Sequence, residues 1–523
     1  MPSSRGSFFS DWRAREIENS TSRSLTITPS FSTSANAQYQ DTLRIDITSN
    51  LPAVTIPYYL SNLTDDYFLS GTANGNITID SNGNANISFQ IDPFYDVSNA
   101  YVTLTTQFQL SNDYPNSVIG SSPNIEIAKA NTFDASGWEE SNISASLDGL
   151  QGGYKLHTLV GLTQDQIGPY SNTVVANLTV NSLGDDPANA DIDILIVGAG
   201  AQGGGGGWTK SQTSSPTLIW IESFAGAGGA GGEVVPLTLK ANVFTANTSY
   251  TGSVANASLA VDSFGSNVYE PVSGGNTSFL GYTALGGGHG AGMSKYMITG
   301  PSRQYYNAED GGSGGGGSPG NVFTWNGNAG TSLANVTYGY GKDGGTGAYK
   351  WYGAFGTTLT TYTQLTLGLS GIYRYKHIGG GGGGATEAGS NSSMSVTFPT
   401  VSGTAGDGGE GYSSNISGST VIYGSGGGAG GLATSVTYGL GGTNAGNGGW
   451  WNESNSGGES THLEPRGGYA TIHTGAGGGG GGAPDEDPLN YTSVAGLAIV
   501  GGRGSDGILM VRYLSQVRTI KLA

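Results

Sequence analysis

The stretch DIDILIVGAGAQGGGGGW, Asp191 to Trp208, sets Gly198, Gly200 and Gly203 directly behind an apolar strand in the order G-x-G-x-x-G. That spacing is a dinucleotide fingerprint: the glycines let the backbone approach a pyrophosphate, and a following helix offers its N-terminus to the charge. An acid stands at about the right distance, Glu222 after LIWI. The helix is missing, because GGGGWTKSQTSSPT puts Gly, Ser and Pro where a crossover helix of about a dozen residues would lie. No dinucleotide site and no other cofactor is expected.

The remaining chemistry-bearing residues are scattered. The histidines His157, His289, His377, His462 and His473 show no H-x-x-x-H pair, so spacing alone assigns no metal. His289 and His473 border glycine clusters, where folding could bring them together. Gly341-Lys342 is followed by Asp343, not by the Ser or Thr of a P-loop, and no G-x-S-x-G elbow occurs. Asp80, Asn82, Asn84 and Asp92 are oxygen donors near a turn but lack the bidentate Glu of an EF-hand, which favours turn chemistry over calcium. Asp485, Glu486 and Asp487 read as a solvated acidic loop, with cation binding the alternative. The sequons Asn62-Leu-Thr64, Asn177-Leu-Thr179 and Asn415-Ile-Ser417 are expected by chance in a chain this rich in Asn, Ser and Thr. No catalytic residue is assigned and the chain reads as non-enzymatic, although a carboxylate pair assembled only in space would escape this reading.

Composition narrows the partners. Thirty-eight acidic against twenty basic residues give a net charge of −18, which opposes nucleic-acid binding. No apolar run of membrane length occurs, so membrane insertion is not expected, and MPSSRGSFFSDWRAREIENSTS has no apolar core of signal-peptide length. There is no cysteine, and stability must come from packing and hydrogen bonds.

The elements that would position any site are strands. LTIT, LRIDIT, ITID, NISFQI, YVTLTTQFQL and IEIA alternate apolar with polar residues over 24–129, a sandwich pattern. ITID is expected to pair with NISFQI through a type I′ turn at Asn82-Gly83. Ahead of this, 1–23 reads as an anchor or adaptor built on Phe8, Phe9 and Trp12. Residues 130–190 read as a β-rich connector, 191–515 as a glycine-rich domain and 516–523 as a C-terminal tail.

Glycine dominates the composition, with 94 residues against 18 prolines and no G-X-Y period, which excludes collagen. The runs are short and separated by Trp, Tyr, Ile and Val, unlike a flexible linker. Extended polyglycine-II-like segments packed side by side would satisfy this pattern, since each backbone group can bond a neighbour when no side chain intervenes. The intervening stretches read as long surface loops, with Trp208, Tyr305, Tyr306, Trp351, Tyr352, Trp450 and Trp451 as binding candidates. The same aromatics could instead cover the glycine scaffold. The fold class is all-β.

Residues 24–129 resemble the immunoglobulin-like, Calx-beta-like modules of tailed-phage structural proteins, through TITPS, PYYL, DDYFLSGTANGNITIDSNGNANISFQID and IEIAKA. GGNTSFLGYTALGGGHGAG, GGEGYSSNISGSTVIYGSGGGAGG, ATIHTGAGGGGGG and GGRGSDGILMVRY resemble the glycine-rich domain of tailed-phage tail-fibre and adhesin proteins, over residues 150–515. The resemblance implies a virion protein whose loops attach to a host cell-surface receptor or glycan. It also implies other virion or fibre subunits as partners and a homo-oligomer. His289 and Ala429 replace glycines of that pattern, and the loops 208–225 and 293–310 are unusually long, which leaves the ligand open. The alternative reading is a repeating subunit of a capsid decoration, tail or extracellular helical fibre, joined by N-terminal or edge-strand exchange.

Overall fold

The computed structural model describes residues 25–32, 42–49, 53–60, 65, 68–91, 102–104, 106–108, 120–121, 125–129, 132–143, 146–147, 150–151, 153–162, 173–212, 218–257, 271–293, 305–318, 328–355, 358–359, 371–397, 400–432, 436–450, 466–483, 497–515 and 518–522. These residues form an all-β molecule. The N-terminal unit has one sheet of Leu25–Ser32, Thr42–Ser49, Asn84–Ile91 and Phe68–Ser70, and another of Asn74–Ile79, Val54–Leu60, Thr106–Phe108 and Gly120–Ser121. Alternation buries Leu43, Ile45, Ile47 and Phe89 from the first and Tyr58, Ile77 and Ile79 from the second. The rings of Tyr58 and Phe89 meet edge to face at 6.0 Å across the interior.

The expected hairpin between ITID and NISFQI does not form. Asn74–Ile79 pairs with Val54–Leu60, and Asn84–Ile91 pairs with Thr42–Ser49, so the turn arches from one sheet to the other. A type I′ turn needs positive φ at both central residues, and of the pair only Gly83 has it, at 80°. Asp80 fixes the arch, its Oδ1 accepting the N–H groups of Asn82 and Asn84 at 2.8 Å.

Strands within 133–197, 234–284 and 508–514 build a second sandwich, which corrects the boundary expected between a connector and residue 191. Asp191–Val197 lies between Val234–Lys240 and Ile508–Leu514, and the latter is paired in turn with Tyr154–Val160. Ile192, Ile194 and Ile196 pack with Phe133, Leu178, Val180, Val254 and Phe279 in the core. On the opposite face Leu195, Val197, Ile508 and Met510 pack with Ala385, Ile416 and Tyr423. Burial on both faces is why DIDILIV is nearly continuous in apolar residues. The expected C-terminal tail is also corrected: Arg518–Leu522 pairs along its whole length with Ile125–Lys129.

From Gly198 onward the glycine runs form a lattice, and its centre is the run Gly226 to Gly232. The N–H groups of Gly226, Gly229 and Gly232 donate to the carbonyls of Gly481, Gly478 and Gly475. Those of Ala227 and Ala230 donate to Ala291 and Gly288, and those of Gly228 and Gly231 to Gly380 and Gly383. Every third residue faces the same neighbour, the repeat of an extended threefold helix. Three further runs donate back into it, through Gly427 and Gly430, through Ala201 and Gly204, and through Gly316. Six runs thus surround one. No glycine of this central run has positive φ. The absent side chain, rather than backbone freedom, is what glycine contributes here: a Cβ at Gly228 would overlap the carbonyl of Gly427.

Candidate binding surface

The hydrogen-bond register fixes the direction of each run. Gly226 to Gly232 leads from Leu218–Phe224 down into the sandwich strand Val234–Lys240. The run 198–206 is antiparallel to it, through Gly204 to Ala227 and Ala201 to Ala230. Residues 379–385 are parallel to it, and 424–431 and 475–483 antiparallel. Applied along the chain, this register places the flanks of 213–217, 294–304, 319–327, 360–370, 433–435, 451–465 and 484–496 at the lattice end away from the sandwich. From residue 311 onward the returns at the near end lie within the described residues. Among them 443–445 and 471–474 are tight turns, while Tyr338, Ile416 and Tyr423 seat others against the sandwich cores.

Lattice polarity also dictates the sheet at the far end. Its strand order is Thr358–Leu359, Ala348–Phe355, Gly371–Ile378, Leu218–Phe224, Gly206–Gln212 and Leu497–Ile499. Leu218–Phe224 and Gly371–Ile378 pair in parallel because both descend into parallel glycine runs. Phe224, His377 and Tyr349 stack their rings across three of these strands, at 5.6 and 6.1 Å.

This geometry separates the aromatic candidates. Trp208 is 6 % exposed, on a strand with Ser223 and Leu497 as Cα partners, so it is a packing residue rather than the start of a loop. Tyr305 and Tyr306 are half-buried opposite Met293 and Gly292, with the Tyr305 ring 5.6 Å from Phe224. Trp351 and Tyr352 lie on the strand Ala348–Phe355, level with Tyr375 and Arg374, rather than in a loop. Trp450, 42 % exposed, stands where the chain leaves the lattice. Trp451, Phe8, Phe9 and Trp12 lie outside the described residues.

The chemical constellations resolve into structural clasps. The N–H groups of Gly198, Gly200 and Gly203, which a dinucleotide would need, donate instead to Glu233, Ser505 and Gly502 carbonyls. Glu222 is buried 2.9 Å from His377 Nε2. His289 and His473 do not share a site: Nε2 of the first lies 3.3 Å from Glu309, and Nδ1 of the second 2.5 Å from buried Asp506. In the group Ser273, Glu309 and His289 the carboxylate occupies the middle, whereas activating a serine needs the imidazole there. Among the described residues no three His, Asp or Glu side chains gather as a metal site. Asp485, Glu486, Asp487, Asp92 and His462 lie outside the described residues.

Carboxylates and amides do recurrent work in the outer runs, where their side-chain oxygens accept backbone N–H groups. Asp407 accepts from Leu440 at 2.7 Å, Asp343 from Ser332 at 2.6 Å, Asp310 from Thr331 at 2.6 Å and Asn391 from Thr346 at 2.7 Å. Glu233 accepts from Leu285 and Asn335; burial raises its pKa, and these two bonds pull it back. His473 is pushed up, chiefly by its hydrogen bond to Asp506, while burial lowers His157, whose Nε2 is 2.9 Å from the Tyr513 hydroxyl. Sequence reasoning missed Asp506 and Glu233. Their signal is a lone acid at the end of a glycine run.

Comparison with protein-family models, with curated proteins and with solved structures found no match to this chain.

Proposed function

We propose that the chain is a structural protein of a phage virion, of tail-fibre or adhesin type, that displays its excursions to a host surface receptor or glycan. The observation that carries this reading is the lattice register, which places the flanks of these segments at one end and ties the other end to the sandwich. A hydrogen-bonded lattice without side chains makes a stiff platform, on which the excursions can change without disturbing the core. Tyr, Trp, Asn, Ser and Thr in them supply aromatic contacts and adaptable hydrogen bonds. Single excursions bind weakly, and several copies on one particle supply avidity.

The subunit-polymer reading gains no support from the sandwich sheet that holds Asp191–Val197, whose outer strands carry Pro236 and Lys240 on one edge and Glu139 and Glu140 on the other. Such residues blunt edge pairing. The test is an exchange of 294–304, 319–327 and 451–465 for unrelated sequences of equal length in assembled particles. Adsorption to the original host is expected to fall by about tenfold or more, as for loss of principal contacts. Adsorption unchanged by all three exchanges would sink the proposal.

A further inference from the structure

The N-terminal unit is joined to the rest of the molecule by two crossings rather than one. The first is the direct passage to Phe133–Ser136 from Ile125–Lys129, which pairs with Val102–Leu104 of that unit. The second is the return of the chain end: after Ile508–Leu514 only three residues intervene before Arg518–Leu522, which pairs Leu522 with Ile125 through to Arg518 with Lys129. The crossings are bonded to each other, the Thr132 hydroxyl donating to the Ser515 carbonyl at 3.2 Å. Just beyond them the Phe133 and Tyr513 rings meet at 4.8 Å, and the Tyr513 hydroxyl accepts the N–H of Ala135 at 3.0 Å. Ser515 is itself held on the sandwich by its N–H and hydroxyl, both donating to the Gly153 carbonyl.

We propose that the C-terminal strand is an orientation lock, which fixes the N-terminal unit against rotation about the 129–133 link so that the lattice end points in a set direction. A single short link leaves torsional freedom about its backbone bonds, and domains joined that way move by default. A second crossing anchored within five ladder pairs removes that freedom without a large interface. The inference does not depend on what the excursions bind.

The chain has no cysteine, so Ser88→Cys and Val175→Cys, both at exposed positions, give one label pair spanning the joint. Pulsed electron–electron resonance on the full chain is expected to give one narrow distance distribution. Deleting 516–523 is expected to widen it by about twofold or more, and so is a Gly-Ser spacer of about ten residues after Ser515, which keeps the strand but slackens the tether. Equal widths in the full chain and in either variant that folds, as judged by circular dichroism, would overturn the lock. The spacer form retains every residue and guards against the deletion failing to fold.

Discussion

At the scale of single residues, glycine has two separable uses here. Gly228 has ordinary backbone geometry and no room, whereas Gly281 has open space where a methyl group would stand but a φ of 82°. Gly228→Ala is therefore expected to cost about 3 kcal/mol or more by forcing two runs apart, and Gly281→Ala about 1 kcal/mol from backbone strain. Urea denaturation reads both, and equal costs would refute the distinction. His473 gives a signed pH effect. Its folded pKa is raised above the usual 6.5, so its contribution is complete below that value and is lost as pH rises through the folded pKa. The melting-temperature difference between the parent and His473→Gln should shrink as pH rises through that window; a difference that grows would refute the assignment. Residue-scale expectation was least dependable for aromatics. Trp208 reads as a loop residue because glycines precede it, yet the lattice buries it. Leu280-Gly281, with φ of 52° and 82°, forms the turn type expected at Asn82-Gly83, because Leu280 is held against the core.

At the scale of elements, strands and glycine runs were legible and their partners were not. Period-two alternation marks Thr42–Ser49 and Asn84–Ile91, and glycine clusters mark the lattice runs, since both signals are local. Which run neighbours which is a long-range matter among segments of nearly identical composition, so the sequence carries little to rank the pairings. The boundary expected at residue 191 failed for a related reason. Asp191–Val197 is an interior strand whose partner, Ile508–Leu514, is remote in the chain. The two lattice ends should differ in tolerance. Inserting a short Gly-Ser stretch within 319–327 is expected to leave the melting temperature nearly unchanged. The same insertion at 443–445, where Asn444 Nδ2 bonds the Ile422 carbonyl at 2.9 Å, is expected to lower it by several degrees, roughly 1–2 kcal/mol. Equal effects would contradict the assignment of the ends.

At the scale of the whole molecule, the last stretch of chain takes part in every layer. Leu497–Ile499 joins the far sheet, 500–507 fills the lattice, Ile508–Leu514 is an interior sandwich strand, and Arg518–Leu522 closes on the N-terminal unit. Ending the chain after Gly507 is expected to abolish the cooperative unfolding transition, because it removes an interior strand whose seven residues are all buried. Ending it after Ser515 should preserve the transition and loosen only the joint. A cooperative transition surviving the first truncation would show that the layers fold independently.

The alternating direction of the glycine runs sets an arithmetic on how such a molecule can grow. From residue 311 to residue 507 each crossing away from the sandwich is followed by one toward it. Duplicating a single run would deliver the following segment to the wrong end, against a sandwich face already filled by Ile416 and Tyr423. New excursions can therefore be gained or lost only with two crossings at a time. The lineage of this chain should record its history in pairs of glycine runs, each pair bracketing one excursion.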